Sequence, residues 1–352
     1  MGKLFILLNG NNGATYIVNT RTLGSVIMSL NFYKAITVKS LVLKGILILL
    51  SWLSGKINLN RLKNINEVNE LLNDLSNSEF NFNIDTNSSV LISPTRDKVI
   101  VNQHNDYFQK FAFGKSFKKV KNESAIYKSL QNSKEFQVAS VMDLKIDEQL
   151  STCNFKLVNP PVNTGHKLLE IDNLPEILVE FFNSTPQKKT VTLVDYIEDL
   201  LKRFYSLNME PINSLTSYLV KIQKEYATET MSLGLVHRDF KPWNILLRDS
   251  VLIFDFEEAI IAGPPLEDIL NYYIDPIIRY QSALQVYDFM YSKEKVTAYT
   301  SYLKLLNVNV PFEVLLVTYV LERIIFWTKE KELDTAMHYK NVLHLILLNS
   351  KP

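Results

Sequence analysis

The chain has 352 residues, of which 47% are hydrophobic, and its 38 basic and 37 acidic side chains give a net charge of +1. This length and apolar content allow a large buried core, and the small net charge argues against recruitment of nucleic acid by a global field. The single cysteine, Cys153, excludes an internal disulfide, which suits a reducing cytoplasm.

The N-terminal part of the chain has two apolar features. The runs Leu4–Leu8 and Ala14–Val18 flank an Asn-Gly turn and predict a β-hairpin. Ser40–Leu53 is the most hydrophobic stretch of the chain, yet it is shorter than the ~20 apolar residues that a transmembrane helix needs. Two interpretations stay open: a helix packed on the protein body, or a peripheral membrane contact over residues 38–56 with lysines near anionic headgroups and Trp52 at the boundary.

The next part of the chain reads as a small sheet with one main helix. Residues 61–87 predict a helix and a connecting loop, and a second helix begins near Ser116. Five segments have strand-like patterns: Ser89–Ile92, Val99–Val101, Tyr107–Phe113, Phe136–Ile146 and Cys153–Val158. The sequence Asn-Pro-Pro then interrupts the pattern, so we place a hinge between two lobes at Leu157–Asn159.

The remainder of the chain is predominantly helical. Eight segments have helical spacing or length: Leu168–Phe182, Leu193–Leu207, Asn213–Thr228, Leu266–Tyr273, Ala283–Tyr291, Lys295–Leu306, Pro311–Lys329 and Leu333–Leu348. Their leucine and aromatic stripes are typical of a packed core.

One block within this helical part indicates a chemistry. His237–Asn244 reads HRDFKPWN, and a later strand-like run ends in Asp255. Phosphoryl transfer requires an oriented acceptor hydroxyl, phosphates held in line and Mg²⁺ to neutralise their charge. Asp239 would accept the acceptor proton, Lys241 would reach the transferred phosphate, and Asn244 and Asp255 would offer oxygen ligands to Mg²⁺. The match over eight consecutive positions favours catalysis over a chance turn between buried strands.

This block resembles the catalytic core of the aminoglycoside phosphotransferase and choline kinase group, which shares its fold with protein kinases. In that group the loop reads H-x-D-x-x-x-x-N, with HGDFxPWN as a frequent bacterial version, and the following strand ends in D-W-E. The resemblance implies that Asp239 is the catalytic carboxylate and that Asn244 and Asp255 bind the metal. It also makes His237 a structural support and Glu257 a secondary metal candidate.

The residues after Asp255 separate this chain from protein kinases. Asp268 follows only 13 positions later, which leaves no room for an activation segment gated by phosphorylation. The resemblance makes Asp268 the buried acid that supports the catalytic loop, while an ordinary acid at a helix start is the alternative. Arg238 has no phosphorylated loop to bind, so we expect a structural role for it.

If this is a kinase-like C-lobe, the sheet before it should hold ATP. Lys110 is then the residue that pairs with the phosphates and Glu123 the acid that orients it, although a solvated surface lysine is the alternative. The nucleotide loop has no glycine, so Ser93 and Thr95 would present hydroxyls and N–H groups instead. Val158 would meet the adenine edge through its backbone.

Together these features predict an α+β protein with a kinase-like bilobal fold. We expect an N-terminal extension (1–60), a nucleotide-binding N-lobe with a small antiparallel sheet and one main helix (61–158), and a helical C-lobe with the catalytic loop (159–352). The implied cofactors are ATP and Mg²⁺.

The expected activity is phosphate transfer from ATP to an alcohol group, with a sugar or cell-envelope glycan precursor as the leading acceptor. Choline-like amino alcohols and aminoglycosides are the alternative acceptors; an aromatic and acidic pocket would favour them. A pseudokinase that only binds a partner is the alternative of another class. We expect a cytoplasmic protein, at the inner face of the membrane if residues 38–56 touch it.

Overall fold

The computed structural model describes residues 5–9, 13–30, 38–54, 61–62, 65–75, 84, 88–103, 107–158, 171, 173–185, 189–207, 213–247 and 251–349. They fall into two compact units, Met1–Gln131 with Val138–His166 and Asn132–Gln137 with Lys167–Pro352. Residues 1–60, which we predicted as a separate extension, belong to the same unit as the strands predicted to bind the nucleotide.

The first unit is built on one antiparallel sheet. Its elements are β1 (Phe5–Asn9), β2 (Thr15–Asn19), α1 (Leu23–Ser29), α2 (Val38–Ser54), β3 (Arg61–Leu62), α3 (Ile65–Leu75), β4 (Ser88–Ile92), β5 (Lys98–Gln103), β6 (Tyr107–Phe113), α4 (Phe117–Ser129), β7 (Phe136–Val138, whose first two residues belong to the second unit), β8 (Val141–Asp147) and β9 (Thr152–Val158). The strand order is β3-β1-β2-β4-β5-β6-β9-β8.

The predicted N-terminal hairpin is confirmed, but it is not a separate extension. β1 and β2 pair with Phe5 opposite Asn19, and β2 pairs in turn with β4, with Tyr16 opposite Leu91. The hairpin therefore continues the sheet of β4 to β6 and covers the otherwise open edge of β4. The prediction missed this because local turn chemistry specifies a hairpin and says nothing about the strand beside it.

The predicted strand Phe136–Ile146 is wrong as a single strand. The chain breaks at Ala139–Ser140, so that β7 joins a different sheet while β8 pairs with β9. An extended apolar pattern fixes the backbone conformation, and only the available partners decide where one strand ends and another begins.

Helices pack on both faces of the N-terminal sheet. Phe5 and Ile6 alternate in direction along β1, as neighbouring strand residues do. Phe5 joins a buried cluster with Val68 and Leu72 of α3, whereas Ile6 joins Val26 of α1 in a second cluster.

Helix α2 packs on that second cluster through one side, with Leu47, Ile48 and Trp52 partly buried against it. Packing on the body is therefore observed for this side, and Trp52 does not project to an outer boundary. Among the described residues, no helix combines the length and apolar character needed to cross a bilayer.

The second unit is mainly helical. Its elements are α5 (Leu174–Asn183), β10 (Lys189–Thr192), α6 (Leu193–Tyr205), α7 (Asn213–Glu225), β11 (Thr230–Val236), β12 (Ile245–Leu247), β13 (Val251–Ile253), β14 (Ile260–Gly263), α8 (Glu267–Ile274), α9 (Ala283–Met290), α10 (Lys293–Leu305), α11 (Phe312–Lys329) and α12 (Leu333–Asn349). A helix is present in each of the eight predicted segments, and the predicted α+β class, with an antiparallel sheet in the first unit and a mainly helical second unit, is confirmed.

Two small sheets position the catalytic block. β11 lies between β10 and β14, and β13 lies between β12 and β7. β11 lies so close to α5 that a Cβ on Gly234 would come within 2.4 Å of the Phe182 carbonyl oxygen, which only glycine allows. The loop 237–244 connects β11 to β12, and Asp255 follows β13, so the two strand pairs bring the predicted catalytic residues together.

Candidate active site

A buried carboxylate holds the first residues of the catalytic loop. Asp268, in the first turn of α8, accepts hydrogen bonds from the backbone N–H groups of His237 (2.8 Å) and Arg238 (2.9 Å). Burial raises the pKa of Asp268 to about 8, although the two N–H donors favour the ionised form. The acid that the sequence proposed as a support of the loop therefore lies in contact with it.

His237 connects the loop to the strand that precedes Asp255. Its Nε2 lies 3.0 Å from the carbonyl oxygen of Phe254. A carbonyl only accepts, so Nε2 carries the proton and donates it. The ring is fully buried beside Phe256, and this burial lowers the pKa of His237. His237 is thus a neutral structural support.

Arg238 adopts a left-handed backbone conformation with φ of 63°, which costs a non-glycine residue roughly 1–2 kcal/mol. In the related loops that read HGDFxPWN, glycine stands at this position, and glycine adopts this conformation readily. In this chain the Arg238 guanidinium donates to Glu267 (3.1 Å) and lies 4.0 Å from Glu322. Its carbonyl oxygen accepts from Asn271 and Arg323, each at 3.0 Å. Arg238 therefore has the structural environment expected for it.

Three predicted catalytic residues meet around Asp239. The Lys241 ammonium forms an ion pair with the Asp239 carboxylate. The Asn244 amide nitrogen donates to the Asp239 side chain (2.8 Å) and to its carbonyl oxygen (2.9 Å). Asn244 is buried and Asp239 is partly exposed, so a fixed carboxylate faces an accessible space.

A buried network that the sequence did not indicate holds Lys241 from behind. Asp275 lies 3.4 Å from the Lys241 ammonium, and it accepts from Arg323 (2.9 Å) and from the hydroxyl of Tyr339 (2.7 Å). Burial opposes ionisation, but the Arg323 and Lys241 cations hold the pKa of Asp275 below its ordinary value. These residues come from α11, α12 and the end of α8, so no local motif could have joined them.

Two acids follow β13. Asp255 has a left-handed φ of 72°, and one of its carboxylate oxygens lies within 4.8 Å of a carboxylate oxygen of Glu257. Paired carboxylate oxygens are a donor set that suits a hard divalent cation. These two residues would hold Mg²⁺. Glu257 is therefore a stronger metal candidate than the sequence alone indicated.

A cavity of about 290 Å³ opens beside these residues. It is lined by acidic and aromatic side chains: Asp239, Asp255, Glu257, Glu258, Phe326, Trp327, Glu330 and Glu332. Sequence reasoning assigned the α11 residues to the core and missed their contribution. A usable signal was present for Glu330, because this residue directly follows a helix whose C-terminal dipole disfavours anions.

The predicted phosphate-binding lysine lies in the first unit. Lys110 on β6 donates to both carboxylate oxygens of Glu123 on α4, each at 2.9 Å. The lysine is 3% exposed and the glutamate is completely buried, so Lys110 is not a solvated surface lysine. The ion pair expected from the family pattern is therefore present.

The glycine-free nucleotide loop is organised by an aspartate that the sequence did not single out. Asp97 accepts from the hydroxyls of Ser93 (3.2 Å) and Thr95, and from the backbone N–H (3.0 Å) and hydroxyl (2.9 Å) of Ser116. Arg96, between them, has a left-handed φ of 58°. The Ser93 and Thr95 hydroxyls are thus engaged within the loop, and their contact with phosphate stays a prediction.

The adenine contact at the end of β9 also stays a prediction. The Val158 N–H donates to the carbonyl oxygen of Ser140 at 2.9 Å, and the side chain is 43% exposed. Asn159, the last residue of the predicted hinge, lies outside the described residues.

Residues 197–295 match the sequence model of the phosphotransferase enzyme family that contains the aminoglycoside phosphotransferases. This range contains the loop 237–244, Asp255, Asp268 and Asp275. The chain is a phosphotransferase. Such transfer uses ATP together with Mg²⁺, which are the cofactors expected from the sequence.

Solved structures similar to this phosphotransferase include an aminoglycoside 2″-phosphotransferase with GDP and kanamycin (11% identity, 72% of this chain, 91% of that chain, TM-score 0.46). Others are a thermostable aminoglycoside phosphotransferase APH(4)-Ia mutant with ADP and hygromycin B (13%, 81%, 99%, 0.48) and choline kinase LicA from Streptococcus pneumoniae (14%, 72%, 90%, 0.46). No curated protein sequence matches the chain significantly. These distant likenesses say nothing about the acceptor of this phosphotransferase.

Proposed function

We propose that this protein transfers the γ-phosphate of ATP, in a Mg²⁺-dependent reaction, to a hydroxyl group of a positively charged small molecule such as an amino sugar or an amino alcohol. The observation that carries this proposal is the acidic and aromatic cavity beside Asp239. It supplies the environment that the sequence analysis associated with cationic acceptors.

The charge of the cavity favours a cation even when a metal is bound. Asp255 and Glu257 would be neutralised by Mg²⁺, and Glu258 and Glu330 would still line the cavity, together with Glu332, which lies 3.6 Å from the Arg279 guanidinium. The ring of Trp327 adds a face for cation–π contact, although Arg279 and Arg323 of the protein already lie 5.0 and 5.1 Å from it.

Trp327 also offers a hydrogen-bond donor. Its indole Nε1 is buried, and it has no hydrogen-bond partner among the described residues. Because an indole N–H can only donate, an oxygen atom of the acceptor would satisfy it. The cavity therefore combines anionic groups for an ammonium group with one donor for a hydroxyl or ether oxygen.

The contacts of the side chains around Asp239 support this proposal. Asp239 would accept the hydroxyl proton, and the amide of Asn244 holds its carboxylate in one orientation. Lys241, positioned between Asp239 and Asp275, would donate to the transferred phosphoryl group. Lys110, oriented by Glu123, would pair with the ATP phosphates. Bound Mg²⁺ would neutralise the phosphate charge.

A neutral sugar or cell-envelope glycan precursor is the second candidate acceptor. The exposed apolar residues of α2 favour it, because a membrane-associated enzyme would meet lipid-linked glycans. The buried Lys110–Glu123 pair and the Asp239–Lys241 contact argue against a pseudokinase.

Matched acceptors test the proposal. ATP consumption and product phosphorylation are measured with glucosamine against glucose, and with choline against a neutral alcohol of similar size. We expect the cationic member of each pair to have the higher kcat/KM. The double variant E330Q/E332Q should raise KM for the cationic acceptor by about tenfold and leave the neutral one unchanged, as loss of about 1.4 kcal/mol of binding implies.

The variant D239N separates chemistry from binding. We expect its kcat to fall by roughly 10²–10⁴, while a Mg²⁺-dependent thermal shift by ATP is retained. Equal activity of D239N and wild type would reject the mechanism. A consistent preference for the neutral acceptors would instead reject only the charge of the acceptor and favour the glycan precursor.

A further inference from the structure

Helix α2 has its most exposed face made of apolar residues, the reverse of an ordinary surface helix. Five side chains at positions i, i+4, i+7, i+8 and i+11 are between 40 and 57% exposed: Val42, Ile46, Leu49, Leu50 and Leu53. This spacing places them on one continuous face. The buried Ser51 and the partly buried Lys44 lie on the opposite side, towards the body.

The neighbouring helix α1, which packs against α2, also has exposed apolar residues. Leu23 and Ile27 of α1 are 45 and 43% exposed. Isolated apolar residues are common on protein surfaces, but a continuous apolar stripe marks a binding surface. We call this set of α2 and α1 residues the α1–α2 surface.

The charge of the first 60 residues indicates which kind of partner would cover the α1–α2 surface. The first 60 residues contain five lysines and one arginine and no aspartate or glutamate. The whole chain has a net charge of +1, so the remaining residues carry −5. The apolar surface therefore lies within a segment whose charged residues are all cationic, whereas the rest of the enzyme has a net negative charge.

We propose that the α1–α2 surface binds an anionic lipid bilayer, with α2 lying in the plane of the interface. Acidic headgroups attract lysine and arginine by about 1 kcal/mol for each residue near the surface, and the apolar stripe inserts among the upper acyl chains. No described helix can span the bilayer, so the contact is peripheral. A second copy of the chain is a poorer occupant, because it would bring two acid-free cationic segments together.

Vesicle co-sedimentation tests the proposal with the full-length protein. The probes are vesicles of phosphatidylcholine alone and vesicles of phosphatidylcholine and phosphatidylglycerol in a 7:3 ratio. We expect at least about tenfold stronger partitioning onto the anionic vesicles, and a loss of that preference in 0.5 M NaCl, where the Debye length falls to a few ångströms.

Two variants assign the binding to this surface. I46E/L50E places charges in the exposed stripe and should lower partitioning at least about tenfold, since each glutamate opposes both insertion and the headgroup charge. L305E on α10 is the matched control, because Leu305 is similarly exposed (48%) and lies in the second unit. It should bind vesicles like wild type.

A third variant does not depend on the folding of the altered stripe. K39Q/K56Q removes two lysines at the ends of α2 in the sequence and should reduce binding to anionic vesicles by roughly tenfold. All variants should keep wild-type ATP turnover with a soluble acceptor, which makes this proposal independent of the acceptor. Equal binding to neutral vesicles, no binding to either vesicle, or a dimer that I46E/L50E dissociates would overturn it.

Discussion

The catalytic loop and the nucleotide loop are each held by an aspartate, and the two aspartates differ in burial. In each, one aspartate accepts several hydrogen bonds: Asp268 accepts from the backbone N–H groups of residues 237 and 238, and Asp97 accepts from the hydroxyls of Ser93 and Thr95. Asp268 is buried and lies 31 residues from His237. Asp97 is partly exposed and lies within its own loop, with Ser116 as its one more distant partner.

This difference in burial predicts how removal of each aspartate should affect stability. When a buried acceptor is removed, its donors are left without water, and each orphaned donor costs about 1–3 kcal/mol. When a partly exposed acceptor is removed, water takes its place and the cost is smaller. The catalytic loop should therefore be part of the folded core, and the nucleotide loop a local structure that affects ATP binding.

The largest effect is expected for D268A. Two buried N–H groups, those of His237 and Arg238, lose their acceptor, so the free energy of unfolding should fall by about 3 kcal/mol or more. A misplaced loop should also lower kcat by about 100-fold. Denaturant unfolding and steady-state kinetics measure both. D268N keeps one acceptor oxygen and should lie between D268A and wild type; a D268A protein as stable as wild type would contradict the role of this carboxylate.

The next effect is expected for R238G. Glycine relieves the left-handed strain, worth roughly 1–2 kcal/mol, but Glu267 and Glu322 lose a guanidinium, and breaking a buried pair costs about 3–5 kcal/mol. We expect a net loss of about 2 kcal/mol in the free energy of unfolding. R238A lacks the strain relief and should be about 1 kcal/mol less stable than R238G. An R238G protein more stable than wild type would show that the ion pairs contribute little.

A pH effect follows from His237. Burial lowers its pKa in the folded state, so below the ordinary value of about 6.5 the unfolded chain binds a proton that the folded chain does not. Stability should therefore fall as the pH drops through 6.5, by up to about 1.4 kcal/mol for each pH unit. The unfolding midpoint of H237Q should lack this component of the slope. H344Q, at an exposed histidine, should keep it.

The smallest effect on stability is expected for D97N, about 1 kcal/mol, because its partners are reached by water. The change should appear mainly in KM for ATP, which should rise roughly tenfold with kcat nearly unchanged, as loss of ~1.4 kcal/mol of nucleotide binding implies. R96G is the control: it keeps every Asp97 contact and relieves a left-handed φ, so stability and KM should stay close to wild type. A D97N variant that loses kcat as severely as D268A would remove the distinction between the loops.

Local pattern predicted most of the architecture. The helices from α5 to α12 follow the apolar spacing of their sequences, and β4 to β6 follow short apolar runs bounded by turns. Lys110 stood out because it interrupts an apolar run, and its pairing with Glu123 agrees with the family pattern. The joining of β1 and β2 to β4, and the break between β7 and β8, depended on neighbouring strands that no local pattern names.

By itself, the sequence determined the order and spacing of Asp239, Lys241, Asn244 and Asp255, because these residues lie in one loop and one strand end. Only the tertiary structure decided what surrounds them: the Asp275–Arg323 pair behind Lys241, and the glutamates after α11 that line the acceptor cavity. Backbone conformation is set by residues a few positions apart, whereas these contacts join residues 34 or more positions apart through helix packing. Hence the local sequence determines the catalytic residues, whereas helix packing determines which residues line the acceptor cavity.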